Sequence, residues 1–144
     1  MLASVKTAQD QFEGLAGFRL ALRRFLAFSE GVASVSGVTN QQYQAMLAIK
    51  TQPGGVAQIK DFADQMLIRH NGAVQLADRL VAADLVERRN APDDRRGVLL
   101  ALTEKGERTL ATLAAAHLPK LRKHESLLAD SLKQLRRIPT GATR

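Results

Sequence analysis

The side chains best suited to chemistry in this sequence are arginines and amides, and they gather in two places. The stretch NAPDDRRGVLLALTEKG runs from Asn90 to Gly106 and sets Asp93, Asp94, Arg95 and Arg96 between two strand-like segments. A hairpin tip needs turn formers, and Pro92 with Asp93 supplies them. It does not need two arginines. A guanidinium carried on such a tip can enter a narrow minor groove, where the negative potential of DNA is deepest. Asp94 can hold Arg96 in an ion pair that orients it beforehand, and Arg96 is the residue expected to insert. The plain alternative is a solvated turn whose ion pair is worth little.

The second gathering is RHNGAVQLADR, Arg69 to Arg79. Asn71 and Gln75 lie one helical turn apart, and amide side chains can pair bidentately with adenine in a major groove. Val74 between them can touch a thymine methyl. Arg69 and His70 at the helix start suit phosphates or edge bases, although His70 can equally cap or hydrogen-bond locally. Arg79 can reach a phosphate or pair with Asp78 or Asp84. Lys60, on the preceding helix, is a further candidate phosphate contact, with a solvated face as the alternative. Arg88 and Arg89 alternate along a strand, so at most one of them faces DNA.

Other chemistry is poorly provided for. Cys is absent, which excludes disulfides, a thiol nucleophile and a thiol redox switch. His117 and His124 are seven residues apart with Pro119 between them, and no carboxylate completes a metal set. No phosphate loop and no Ser/His/Asp arrangement with recognisable context occurs. No enzyme activity, cofactor or metal is expected. No apolar run is long enough to span a bilayer, and MLASVKTAQDQF lacks the apolar core of a signal peptide. A cytoplasmic protein without a membrane partner is expected.

The formal net charge is +7, which points to a polyanionic partner. Its distribution complicates that inference. Between Pro53 and Gly106 acids and bases cancel, and the excess lies in LRRF, KLRKH, LKQLRR and Arg144. Position, rather than total charge, must therefore assign the middle segment its role.

The elements that hold these residues follow from periodicity. Phe12, Leu15, Phe18, Leu22, Phe25 and Leu26 recur at helical spacing and predict a helix from about Thr7 to Val35. Thr39 is a candidate N-cap for a helix from Asn40 to Lys50. TQPGG is a loop. VAQIKDFADQML predicts a short helix with Ile59, Phe62, Ala63 and Met66 inward. After a break near Leu67 and Ile68 comes a second helix, with Ala73, Leu76, Ala77 and Leu80 inward. Two short helices joined by a tight turn make a helix-turn-helix. LVERRNA and GVLLALT read as the strands of a wing. Thr103 caps a helix predicted to run to about Leu118, where Pro119 interrupts it, and a last helix covers roughly Leu121 to Ile138. The fold class is mainly α: a winged helix-turn-helix DNA-binding core with long N- and C-terminal dimerisation helices and a two- or three-stranded wing. The chain is one domain of 144 residues, with 1–36 and 107–144 as dimerisation helices and 37–106 as the winged helix-turn-helix. The terminal helices carry more apolar surface than one small domain needs, which suggests packing against a second copy.

From about Val38 to Leu110 the sequence resembles the MarR transcriptional regulators. The resemblance is most specific in LADRLVAADLVERRNAPDDRRGVLLALTEKG, with the Asp-x-Arg of the wing at Asp94 and Arg96 and the Leu-Thr-x-x-Gly step at Leu102, Thr103 and Gly106. It implies a homodimer, a helix in the major groove of double-stranded DNA and a wing on its backbone or minor groove. Many members of that family release DNA when a small anionic or phenolic ligand binds, so a repressor with a small-molecule effector is the expected function. Arg24, Phe28 and Tyr43 are candidate liners of an effector space between the first two helices and the DNA-binding part, although packing or surface charge is the commoner role for such residues. Members that sense oxidants use a Cys, so that branch is excluded. Two departures bear on target sequence: Leu67 stands where a Gly is common, and Arg69-His70-Asn71-Gly72 replaces small hydroxylated residues. The alternative function, supported by the charge balance of the middle segment, is a protein-interaction module on a winged-helix scaffold without sequence-specific DNA binding.

Overall fold

The computed structural model describes residues 2–93, 95 and 97–140. In chain order the elements are α1 (Leu2–Val35), α2 (Asn40–Lys50), a 3-10 turn (Pro53–Gly55), β1 (Val56–Gln58), α3 (Ile59–Met66), α4 (His70–Ala82), β2 (Val86–Asn90), β3 (Val98–Leu102), α5 (Glu104–Lys123) and α6 (Glu125–Arg136). The fold is mostly helical with one small antiparallel sheet, ordered β1-β3-β2. The chain divides into two compact units, residues 32–116 and residues 1–31 with 117–144.

The unit of residues 32–116 is built on one core. Tyr43, Met46 and Ile49 of α2, Phe62 of α3, Ala73, Leu76, Ala77 and Leu80 of α4, Leu100 and Leu102 of β3 and Leu110 and Leu113 of α5 are all buried in it. Every one of them sits at the period its element requires, so apolar transfer selects both the helices and their faces. Thr39 begins α2 with a reciprocal capping box: its hydroxyl accepts the Gln42 amide at 3.0 Å, and the Gln42 side chain accepts the Thr39 amide at 3.0 Å. That satisfies two N–H groups the helix itself leaves unpaired.

The pattern predicts Val56–Gln58 as the start of a helix, and the structure corrects this. Val56, Ala57 and Gln58 pair with Ala101, Leu100 and Leu99 as a third strand. Three residues carry no periodicity of their own, and the unpaired edge of β3 decides their state. A second correction concerns Pro119. It lies inside α5, which continues to Lys123, and the last helix begins only at Glu125. Proline removes one backbone donor, but the turns on either side keep theirs. The break falls at His124, whose amide is held by the carbonyls of Lys120 and Leu121.

In the unit of residues 1–31 and 117–144, the Phe28 ring stacks on the His124 imidazole with centroids 3.7 Å apart. Gln11 donates through Nε2 to the carbonyl of Pro139 at 2.7 Å. Much of the apolar stripe of α1 stays uncovered: Phe12, Leu15, Leu22 and Leu26 are exposed, as are Leu118 and Leu132. Among the described residues no helix is long and apolar enough to cross a membrane.

Candidate nucleic-acid interface

The helix α4 is fixed at both ends and along one side. At its front, α3 ends in a left-handed residue: Leu67 has φ 56° and ψ 41°. The Ile68 amide bonds to the Ala63 carbonyl at 3.1 Å and the Leu67 amide to the Asp64 carbonyl at 3.3 Å, the pair of bonds that defines a Schellman stop. Ile68 then packs on the core and aims the chain into α4. At the back, the Thr103 hydroxyl donates to the Asp84 carbonyl at 2.6 Å and Lys105 Nζ to the Ala83 carbonyl at 3.1 Å. The Lys105 bond satisfies the C-cap carbonyl that the end of α4 leaves open, and the Thr103 bond holds the residue that follows. Along the side, the stripe Ala73, Leu76, Ala77 and Leu80 is buried.

The opposite side of α4 is exposed. Asn71, Gln75, Asp78 and Arg79 are exposed and Val74 is half-buried between them. Arg69 is the N-cap and His70 the first helical residue, both exposed, and no side chain caps this end. Amide N–H groups and the positive end of the helix dipole therefore face outward where a phosphate can meet them. Lys60 is exposed in the first turn of α3. A Cβ added at Gly72 would stand 3.8 Å from the Ile68 side chain, an ordinary contact, so packing does not require glycine there.

The two arginines of β2 do point to opposite faces, and each has its own carboxylate. Arg88 is ion-paired with Asp78 of α4, while Arg89 pairs with Glu87 two residues back on the same strand at 2.6 Å. Asp78 is thus taken by Arg88. Arg79 has no ion pair among the described residues, and its guanidinium is left for another anion. The sequence considered Asp78 only as a partner for Arg79. The alternation of β2 holds the missed signal, because Arg88 shares a face with Val86, which is buried.

At the wing, the Ala91 amide bonds to the Gly97 carbonyl at 3.0 Å and closes the hairpin. The Asp93 carboxylate accepts the Arg95 amide at 3.1 Å, so Asp93 builds the turn as its residue type suggests. Arg95 is exposed. Asp94 and Arg96, and with them the expected ion pair, lie outside the described residues.

The three candidate effector liners fall in different units. Tyr43 is buried in the core of residues 32–116, where burial pushes its hydroxyl above the usual range. Arg24 and Phe28 belong to the other unit, with Arg24 exposed and Phe28 stacked on His124. Among the described residues no group of three or more His, Cys, Asp or Glu side chains could hold a metal ion.

Two short helices with a tight left-handed turn, an exposed polar face on the second and a hairpin pinned beside it define a winged helix-turn-helix protein. Residues 36–97 match the model of the MarR family. Among solved structures, AbsC, a MarR family transcriptional regulator from Streptomyces coelicolor, is 26% identical with a TM-score of 0.67, over 84% of this chain and 80% of that one. NadR in complex with 4-hydroxyphenylacetate is 23% identical with a TM-score of 0.64, over 86% of this chain and 92% of that one. A mutant MarR from E. coli complexed with operator DNA is 20% identical with a TM-score of 0.65, over 82% and 84%. At those identities the last two show the shared fold. No curated protein sequence matches the chain. Residues 36–97 carry a MarR family winged helix, and the chain shares its fold with MarR family transcriptional regulators.

Proposed function

We propose that this protein is a homodimeric repressor that reads a pseudo-palindromic operator and releases it when a small molecule binds. The observation that carries the DNA-reading part is the exposed face of α4, where Asn71, Val74 and Gln75 stand above a buried apolar stripe. Asn71 and Gln75 read base edges, Val74 meets a thymine methyl, Arg69 and His70 serve phosphates or edge bases, and Arg79 and Lys60 serve phosphates. Asp94, Arg95 and Arg96 serve the flanking groove from the wing. The operator complex of the structurally similar MarR from E. coli supports a DNA partner. The exposed Phe12, Leu15, Leu22, Leu26 and Leu118 support a second copy, and half-sites then stand about one helical turn apart.

The complex of the structurally similar NadR with 4-hydroxyphenylacetate suggests an aromatic carboxylate as the small molecule.

The test is DNA binding as a function of salt. A dimer neutralising about six phosphates gives a log-log slope near −5. A slope near zero overturns the proposal in favour of a protein-interaction module, the reading favoured by the balance of acids and bases between Pro53 and Gly106. Arg96→Ala is expected to lose DNA affinity while the dimer persists.

A further inference from the structure

Leu67 is the residue the fold accounts for least. It is 91% exposed, more than any other large apolar side chain among the described residues. Its backbone is left-handed, at φ 56°, a region in which a branched side chain is strained and glycine is at ease. The Schellman stop needs only the backbone at this position. The apolar contact that accompanies such a stop is made by the next residue, Ile68, which packs on the core. Leu67 therefore presents apolar surface to solvent and strains the turn without a packing return. Strain held by a residue that does nothing for the fold is a pointer to binding.

Its position says what it binds. Leu67 precedes the N-cap Arg69 by two residues and the first residue of α4, His70, by three. Three residues of chain reach at most about 10 Å, less than the ~12 Å width of a major groove. If the amino end of α4 enters that groove, Leu67 stands at its rim. The apolar group that a major groove offers is the C5-methyl of thymine. We propose that Leu67 is a specificity-determining residue that covers a thymine methyl at the edge of each half-site. This rests on the DNA-reading role of α4 and adds a base contact made from the turn rather than from the helix.

The experiment begins with the full chain and a random-sequence duplex library. Wild-type protein selects its tightest duplexes, and fluorescence anisotropy then measures binding to the selected duplex. Copies in which single thymines are replaced by deoxyuridine, which lacks the methyl, are measured alongside. Leu67→Gly and Leu67→Asn both tolerate the left-handed backbone, and circular dichroism checks that each is folded. For wild type, deoxyuridine at one outer position of a half-site is expected to weaken binding roughly fourfold, the transfer value of one methyl-sized group. Leu67→Gly and Leu67→Asn are expected to lose a similar factor on the thymine duplex and to be indifferent to deoxyuridine at that position. The salt slope stays unchanged, because no phosphate contact is removed. Undiminished binding by both variants overturns the proposal and leaves the DNA-reading role intact. So does a loss that deoxyuridine does not abolish, which would place Leu67 against sugar instead. Failure of wild type to enrich any sequence overturns both.

Discussion

A Cβ added at Gly106 would lie 2.1 Å from the carbonyl oxygen of Leu85. That oxygen already accepts the Thr103 amide at 3.1 Å, and the Gly106 amide donates to the Thr103 hydroxyl at 3.0 Å. The backbone cannot retreat without breaking the cap of α5, so the position admits glycine alone. Gly106→Ala is expected to cost about 3 kcal/mol as an overpacking change, seen as a melting temperature lower by about 10 °C. Leu67 is the opposite case. Leu67→Gly removes a left-handed strain worth roughly 1–2 kcal/mol, partly offset by the greater chain entropy of glycine when unfolded. Chemical denaturation is expected to show a variant as stable as wild type or more so, although the sequence change deletes a large apolar side chain. His117 supplies a pH dependence. Burial, with Lys120 beside it, holds the imidazole below its usual range. The unfolded chain then binds more protons than the folded one, so this stability is present above the unfolded value of about 6.5 and is lost as pH falls through the folded value. Melting of wild type is expected to drop on acidification below pH ~6.5 more steeply than melting of His117→Gln.

At the scale of elements, local sequence and tertiary pairing divide the work. Thr39 and Gln42 start α2 without outside help, because both bonds of the capping box are made within four residues. Thr39→Ala is expected to cost about 1 kcal/mol, measurable by urea denaturation with an unchanged m-value. The helix-turn-helix was equally legible. The buried residues Ala73, Leu76, Ala77 and Leu80 and the exposed Asn71 and Gln75 occupy the faces that the 3.6-residue period assigns them. Two elements were not legible. β1 exists because β3 offers an edge, and no three-residue segment announces that. The continuation of α5 through Pro119 depends on the turns that flank it, whereas residue type alone argues for an end there. The Asp78–Arg88 pair was hidden for a related reason: it joins a helix to a strand ten residues on, and only the register of β2 brings the two together.

For the whole molecule, the unequal distribution of charge and apolar surface matters most. The exposed apolar residues of α1, α5 and α6 gather in the unit of residues 1–31 and 117–144. If a second copy covers them, a charge placed there separates the copies. Phe12→Glu or Leu15→Glu is expected to shift the protein from dimer to monomer in sedimentation equilibrium, with loss of affinity for a two-half-site duplex and retention of the helical circular dichroism of the winged helix. A monomeric wild type would sink the dimer proposal while leaving the match of residues 36–97 to the MarR family in place.

The sequence by itself determined the order of the helices, the faces of α3 and α4, the cap at Thr39, the turn chemistry at Pro92 and Asp93 and the resemblance to the MarR family. Each of these is a short-range matter of period, cap or turn, and neighbouring residues suffice to set it. Tertiary structure decided the third strand, the run of α5 past Pro119, the partner of Asp78 and the need for glycine at residue 106. It also left Leu67 strained and exposed beside the amino end of α4. These depend on which distant backbone arrives alongside, a carbonyl of Leu85 or an edge of β3, and burial and pairing across such distances are fixed only when the whole core of residues 32–116 closes.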